Sequence, residues 1–532
     1  MASRSLPGAR GFFIVQYAQK GAAMPEYSSL EKIRLEKIEM LRKEGIEPFP
    51  TRAERTHTSV AAIRAFEAAE KEAGQGGTPA EVKAVLVGRI RAMRPMGKLV
   101  FAHIEDGAGK IQLFLRVNEI GQERVDFFND RFDLGDFIQA SGMLLRTRTG
   151  EVTLLVTDFK LLAKAVSPLP AAKDETLEDG TVVRHAALED PDLRARQRYA
   201  DLAVNPEVRE TFRKRTAIIR SLRNFLDEHD FLEVETPILQ PLYGGAAARP
   251  FVTHHNELEQ DMYLRISFEL YLKRLLVGNL ERVYEIGRDF RNEGISFKHM
   301  PEFTQLEFYW AYADYLQVME LTEQMVSTVC QQVTGGMKVT YQGHELDFTP
   351  PWTRLSMADG ILETCGIDIA AHPTAETLFK AIAAKGKIPD PKATRGKMIE
   401  FLLSEYLEPK LIQPAFLYDY PRDISPLAKS LSGDPLTVER FEGYVAGFEL
   451  CNAFTELNDP LDQEARFLEM GRDYADGEEE KHPMDEDYLR AMRYGMPPCG
   501  GFGMGVDRLV MLLTDKHNIR DVLLFPHKRK EE

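Results

Sequence analysis

A chain of 532 residues is long enough for more than one domain, and its 44% apolar composition, with 30 Phe and 18 Tyr, supplies large packed cores. A formal charge of −16 excludes a protein that coats nucleic acid over its whole surface and leaves room only for a local basic face. Cys330, Cys365, Cys451 and Cys499 lie far apart without paired metal-ligand spacing, so neither a zinc site nor a disulfide framework is expected, and no apolar run approaches the roughly 18 residues of a membrane span.

Residues 1–27 are expected to be a disordered extension. Their GFFIV stretch is too brief for a signal core, and Arg4, Arg10 and Lys20 without an acid read as a weak targeting segment or as chain ahead of an internal start at Met24. From Ser28 the pattern SSLEKIRLEKIEMLRKEGI predicts a charged amphipathic helix stopped by Gly45, with a second helix near Ser59 to Lys71, so that 28–84 form a helical segment. Over 85–165, VLVGRIRAMRP, LVFAHIEDGAGKIQLFLR, DFIQASGMLLRT and VTLLVTDFKLL read as short strands between Gly-containing turns, which suits a small closed barrel. Residues 166–205 read as a linker. A larger domain over 206–528 opens with a long amphipathic helix, a strand from Phe231 to Thr236 and Pro237, and helical patterns around Lys380 and Met398 mark an insertion over about 337–440.

The densest chemistry lies at 282–310. In RVYEIGRDFRNE, Tyr284, Ile286 and Phe290 are apolar, with Arg288 the exception, while Glu285, Asp289, Arg291 and Glu293 alternate with them; in EFTQLEFYW, Leu306, Phe308 and Trp310 share one face and Phe303, Gln305, Glu307 and Tyr309 the other. The joining loop adds Lys298 and His299, which suit an anion. Alternation alone fits any half-exposed hairpin, but cations, acceptors and aromatics gathered on one face fit a ligand pocket better.

The segment FRNEGISFKHMPEFTQLEFY resembles the second signature motif of class II aminoacyl-tRNA synthetases. With GGAAARPF at 244–251, YLRISFELYLKRL at 263–275 and ELCNAFTELNDPLDQ at 449–463, the chain is similar to the bacterial class II lysyl-tRNA synthetases from about residue 28 to the end. The resemblance implies an α+β fold: an N-terminal OB-fold anticodon-binding barrel, then a class II catalytic domain with an antiparallel sheet flanked by helices. It implies activation of L-lysine by ATP to lysyl-adenylate and pyrophosphate, transfer to the terminal adenosine of tRNA(Lys), a Mg2+ cofactor, a homodimer formed around the first signature motif, and a cytoplasmic protein.

Residue by residue, the resemblance assigns Arg291 to catalysis and, with Glu293, Lys298, His299, Phe303 and Arg508, to ATP; Arg291 is suited because a planar guanidinium binds carboxylate and phosphate together. Arg508 follows GFGMGV, where Gly501, Gly503 and Gly505 allow close backbone approach. Gly245, Glu269, Glu307, Tyr309, Asn452 and Phe454 are assigned to lysine, whose cationic tail calls for buried acceptors. Glu269 also reads simply as a favourable acid in a first helical turn, and Phe268 stands where the family commonly has proline. Glu449 and Glu456 are assigned to Mg2+; seven positions apart, they require a bulge or bend near Asn452 and Ala453 to share a strand face, where family members usually show glycine at Cys451 and Ala453. In the barrel, Arg94, Phe101, Gln112 and Glu151 are the anticodon candidates, with Arg89 and Arg91 as further cations, although Phe101 reads equally as a core residue. An aspartyl or asparaginyl enzyme would need cations at the pocket end, a protein-modifying lysyl transferase would lack the barrel, and a catalytically dead RNA-binding protein would not need intact Arg291, Glu293 and Arg508.

Overall fold

The computed structural model describes residues 26–74, 77, 79–170, 173–176, 182–185, 188–473 and 483–529. Residues 1–25, on which most of the expected extension falls, lie outside them. The chain divides into two compact units after residue 187.

In the first unit, α1 (Ser29–Lys43) starts at a capping box, with the Ser28 hydroxyl accepting from the Glu31 N–H and the Glu31 carboxylate accepting from the Ser28 N–H. It buries Ile38 and Leu41, and α2 (Ser59–Ala73), capped by Thr58, buries Phe66. Five strands follow: β1 (Lys83–Met96), β2 (Leu99–Glu105), β3 (Lys110–Arg116), β4 (Phe137–Arg146) and β5 (Val152–Ala163), with α3 (Gln122–Arg131) between β3 and β4. They close in the order β1-β2-β3-β5-β4, with β3 and β5 parallel. Alternation along β2 and β3 sends Val100, Ala102, Ile104, Ile111, Leu113 and Leu115 into the core and leaves Phe101, His103, Gln112 and Phe114 on the outer face. A two-stranded hairpin, β6 (Lys173–Thr176) and β7 (Val182–His185), follows.

The second unit begins with two short helices, Pro191–Arg196 and Arg198–Val204, so the stretch read as a linker to residue 205 is folded at its end. Then comes α4 (Pro206–Glu228), as the amphipathic pattern predicts. The strand expected after it shortens to β8 (Leu232–Glu233), which pairs in parallel with only two residues of its neighbour. A small sheet of β9 (Leu239–Gln240), β10 (Val252–His255) and β11 (Gln260–Leu264) precedes α5 (Glu269–Val277). The motif-bearing hairpin is β12 (Arg282–Phe290) and β13 (Glu302–Ala311), followed by α6 (Tyr315–Thr334).

The region read as a helical insertion is only partly so. It holds the β14 (Lys338–Tyr341) and β15 (His344–Asp347) hairpin, β16 (Thr353–Ser356), helices α7 (Met357–Cys365), α8 (Ala375–Ala384) and α9 (Arg395–Leu402), and β17 (Ala415–Pro421). The three helices bury a separate core with Ile361, Leu378, Ile382 and Ile399, whereas β16 and β17 belong to the main sheet. The chain continues through β18 (Ser430–Leu431), β19 (Asp434–Val445), β20 (Phe448–Thr455), α10 (Pro460–Asp473), α11 (Glu486–Arg493), β21 (Cys499–Gly505) and α12 (Val506–Thr514).

The main sheet runs β16-β17-β19-β20-β21-β13-β12-β8, with β18 joined to β19; it is antiparallel inside and parallel at both ends. On one face Tyr284, Leu306, Phe308, Ala453, Phe502 and Met504 pack against Leu222 and Leu226 of α4, Val318 and Met325 of α6 and Leu509 and Leu512 of α12. Covering that face with three helices obliges the other to carry the polar half of each alternating strand.

Candidate active site

Strand register builds the polar face. Glu285 lies opposite Glu307, Glu307 opposite Gly503, Gly503 opposite Asn452, and Asn452 opposite Glu442, one row across five strands. The next row holds Tyr309, Gly501, Phe454 and Arg440. Beyond Cys499 at its start, β21 presents Gly501, Gly503 and Gly505 to this face, so it forms a bare floor between side chains rising from β13 and β20. The space above Gly501 is already taken: a Cβ there would stand 1.8 Å from Glu456 Oε1 and 2.7 Å from Tyr309 Cε1.

At one end of this trough, Glu307 is held from three sides. The Ser267 hydroxyl donates to Oε1 at 2.8 Å, Gln305 Nε2 donates to Oε1 at 2.8 Å, and the Tyr309 hydroxyl donates to Oε2 at 3.1 Å. Burial, with the Asp289 and Glu269 charges, pushes its carboxyl up to about 8, and burial with the Glu285 charge lifts Asp289 to about 7 against Arg265 and Arg291. Glu269 opens α5 and is buried. Phe268, in place of proline, is fully buried under the Arg265 guanidinium at 4.1 Å and adopts helical dihedrals, so α5 still begins at Glu269. Gly245, at φ +88, approaches so closely that a Cβ would lie 2.9 Å from Glu269 Cβ and 3.0 Å from Ser267 Oγ. Asn452 and Phe454 stand on the same face from β20, with Asn452 Oδ1 accepting from Arg440 Nε at 2.9 Å.

At the other end, Arg291 lies 5.1 Å from the Phe303 ring and donates to the Ile266 carbonyl. Arg508, in the first turn of α12, pairs with Glu449 Oε2 at 3.0 Å and points its other nitrogen at His299 Nε2, 3.2 Å away. Since guanidinium only donates, Nε2 accepts, and Nδ1–H is left to donate to the Ser296 hydroxyl at 2.9 Å. Desolvation and the Arg508 and Lys298 charges lower His299 to about 4, so at neutral pH the loop presents Lys298, not His299, as its cation. Glu293 is exposed on the same loop.

The two carboxylates assigned to Mg2+ do not come together. The bulge their spacing requires does occur, but at Leu450, where Cys451 pairs with Gly443 and Glu449 with Tyr444; it puts Glu449, Asn452 and Phe454 on one face. Yet seven residues of extended chain span roughly 20 Å. Glu456 therefore lies at the lysine end of the trough, with no exposure and ion-paired to Lys273, while Glu449 sits beside Arg508. Across the β19–β20 pair, Glu449 is diagonal to Glu442, whose carboxyl is raised by burial and, in part, by the Glu449 charge. Among the described residues, no group of three or more His, Cys, Asp or Glu forms a ready metal cage.

Sequence reasoning put Gln305 on the polar face without giving it a role, and missed Ser267, Lys273, Arg440, Glu442 and the pairing of Glu456 with Lys273. For Glu456 and Lys273 a signal existed, since each continues a visible series: 452, 454, 456 along the strand, and 269, 273 along the helix. On the barrel, Phe101 is outside the core and stacks on Phe114 with centroids 4.6 Å apart. Glu151 accepts from Gln112 Nε2 at 2.8 Å and lies 2.9 Å from His103 Nε2. Arg94 is exposed, whereas Arg89 covers Phe137 and Arg91 pairs with Glu105 at 3.0 Å.

A raised Glu307 pKa means that the folded protein retains a proton that the unfolded chain, with an ordinary value of 4.5, releases as pH rises towards about 8. The folded state thus binds more protons across that window, and stability falls as pH rises through it. The ligand-free Glu307→Gln protein is expected to lose less stability than the parent between about pH 5 and about pH 8; melting curves that decline in parallel for the two proteins would contradict this.

A model of the tRNA synthetases class II (D, K and N) matches residues 190–529, and a model of the OB-fold nucleic acid binding domain matches 84–162. The chain is 50% identical to a lysine–tRNA ligase of Chloroflexus aurantiacus, over 95% of this chain and 99% of the relative, and 50% identical to one of Pelotomaculum thermopropionicum, over 95% and 96%. A lysine–tRNA ligase of Clostridium novyi is 48% identical over 94% of each chain. The chain belongs to the class II tRNA synthetases, in the lysine–tRNA ligase family.

Proposed function

We propose that the protein activates L-lysine with ATP and transfers the lysyl group to the 3′-terminal adenosine of tRNA(Lys). The observation that carries this is the polarity of one trough, with Glu269, Glu307 and Glu456 at one end and Arg291 and Arg508 at the other. A cationic side chain lies among the glutamates while its carboxylate reaches the arginines. Arg291 then steadies the approach of that carboxylate to the α-phosphate, two anions that repel one another in its absence. A carboxylate oxygen bonds to the α-phosphorus, the bond to the β-phosphate breaks, and pyrophosphate leaves. Phe303 and Arg508 offer the two faces between which adenine stacks, with Glu293 near its amino group and Lys298 and His299 along the phosphates. In the second step the terminal ribose hydroxyl attacks the lysyl carbonyl and AMP departs.

Mg2+, which the family implies, fits Glu449 with Glu442 diagonal to it, since a small hard cation on ATP takes one or two protein carboxylates and otherwise phosphate and water oxygens. Bound there it would neutralise phosphate charge. Glu456, buried against Lys273, does not fit that role.

The barrel suits anticodon binding: stacked Phe101 and Phe114 provide an aromatic platform, and Arg94, Gln112 and Glu151 surround it with a cation and base-pairing groups. Exposed Leu232, Ile238, Leu239, Val252 and Leu258, in the stretch that follows α4, support a homodimer. No helix among the described residues is long and apolar enough to cross a membrane, and a tRNA substrate is consistent with a cytoplasmic enzyme.

Lysine-dependent ATP–pyrophosphate exchange tests the activity. It is expected with lysine and not with aspartate, and Glu307→Ala should lower kcat/KM for lysine by about 100-fold or more, because a buried ammonium loses its partner; exchange driven by aspartate would reverse the assignment. Phe101→Ala should weaken tRNA binding by about tenfold, the loss of one base stack, with exchange untouched. Unchanged tRNA affinity would remove Phe101 from the anticodon site.

A further inference from the structure

One cation at the lysine end has no part in the reaction just described. Lys273 of α5 has no exposure, and its ammonium ion-pairs with Glu269, one turn earlier on the same helix, and with Glu456, just beyond β20. The rings of Phe454, Tyr309 and Tyr488 lie 5.5, 5.9 and 6.0 Å from Nζ. The titratable groups around it are Glu269 on its own helix, Glu456, Tyr309 on β13, Tyr488 on α11 and Cys499 at the start of β21, with Glu307 coupled to the same acids. Although burial disfavours its charge, the Glu269 and Glu456 fields hold Lys273 well above the usual lysine range.

The neighbouring cations are already engaged. Arg440 pairs with Glu442, and Arg265 with Glu285 and Asp289. Burial raises all three pocket carboxyls, but a bound ammonium favours their charged forms, so the charge that meets a bound lysine at this end is that of Glu269, Glu307 and Glu456 less that of Lys273, two negative charges with all three acids ionised. A lysine ligand brings two ammonium groups, its carboxylate being met by Arg291. We propose that Lys273 is a specificity-determining counter-ion, which takes one of three pocket carboxylates out of the count and so matches the pocket to an amino acid with two ammonium groups; this rests on the lysine reading above. From behind Glu269 and Glu456 it also aims both carboxylates, which makes it a positioning residue.

The count makes an ordered prediction. Glu456→Gln leaves one negative charge, and the double variant Glu456→Gln with Lys273→Met restores two. The lysine KM in pyrophosphate exchange is expected to rise about tenfold or more in Glu456→Gln and to fall again by about threefold or more when Lys273→Met is added, with the ATP KM constant. A purely structural lysine predicts the opposite order, with the double variant the worst. The inference is overturned by a double variant whose lysine KM equals or exceeds that of Glu456→Gln, or by an unchanged KM in Glu456→Gln. If Lys273→Met alone does not fold, the double variant still tests the count, with Lys273→Gln as a polar alternative. Absence of lysine-dependent exchange in the parent protein would refute the functional reading instead, so the two failures are distinguishable.

Discussion

A carboxylate removed from water has to meet a cation or keep a proton, and the polar face of the main sheet is organised around that requirement. Six acids, Glu269, Glu285, Asp289, Glu307, Glu442 and Glu456, are buried there, and they meet the requirement in different ways: Glu285 pairs with Arg265 and Glu442 with Arg440. Glu269 and Glu456 share Lys273, Asp289 leans on Arg265, and Glu307 collects three donors and holds its proton to about pH 8. An ammonium group entering beside Glu307 replaces that proton. The empty pocket is thus kept close to neutral by arrangements that a cationic ligand can displace.

The trough exists because its central strand is bare. Gly501, Gly503 and Gly505 face the ligand side of β21, while Phe502 and Met504 on the same strand fill the core beneath. One strand therefore does two jobs by alternation: its odd positions leave space and its even positions anchor the floor. Past Gly505 the chain turns directly into α12, which carries Arg508 to the opposite end from Glu307. Separation of negative and positive ends follows from this geometry, with the glutamates near α5 and the guanidinium groups near the α12 start and the β12–β13 loop.

Much of this was legible beforehand. The two-residue alternation in 282–310 is strong because one face is packed on three helices, so each residue's side is dictated by burial, and the observed register keeps it. The long α4 and the five barrel strands were equally clear. Phe101 was ambiguous because an aromatic in a barrel strand suits either face; the deciding facts are its phase relative to Val100 and Ala102 and its stack on Phe114. The region 337–440 showed helical patterns but not its strands, because β16 has only four residues and β17 lies beyond the three helices, next to it at the sheet end.

Residue type and local period by themselves determined which side chains share a strand face, where the main helices run, and that acids and cations gather on one face of 282–310; the resemblance added Glu269, Glu449, Glu456 and Arg508 to that site. They did not decide which acid meets which cation. The family resemblance placed Glu456 with Glu449, yet an extended chain carries them roughly 20 Å apart, and only the packing of α5 against the sheet brings Lys273 to Glu456. Pairing of buried charges is a property of distances between elements remote in sequence, and those distances exist only once the sheet is closed and the helix is docked on it.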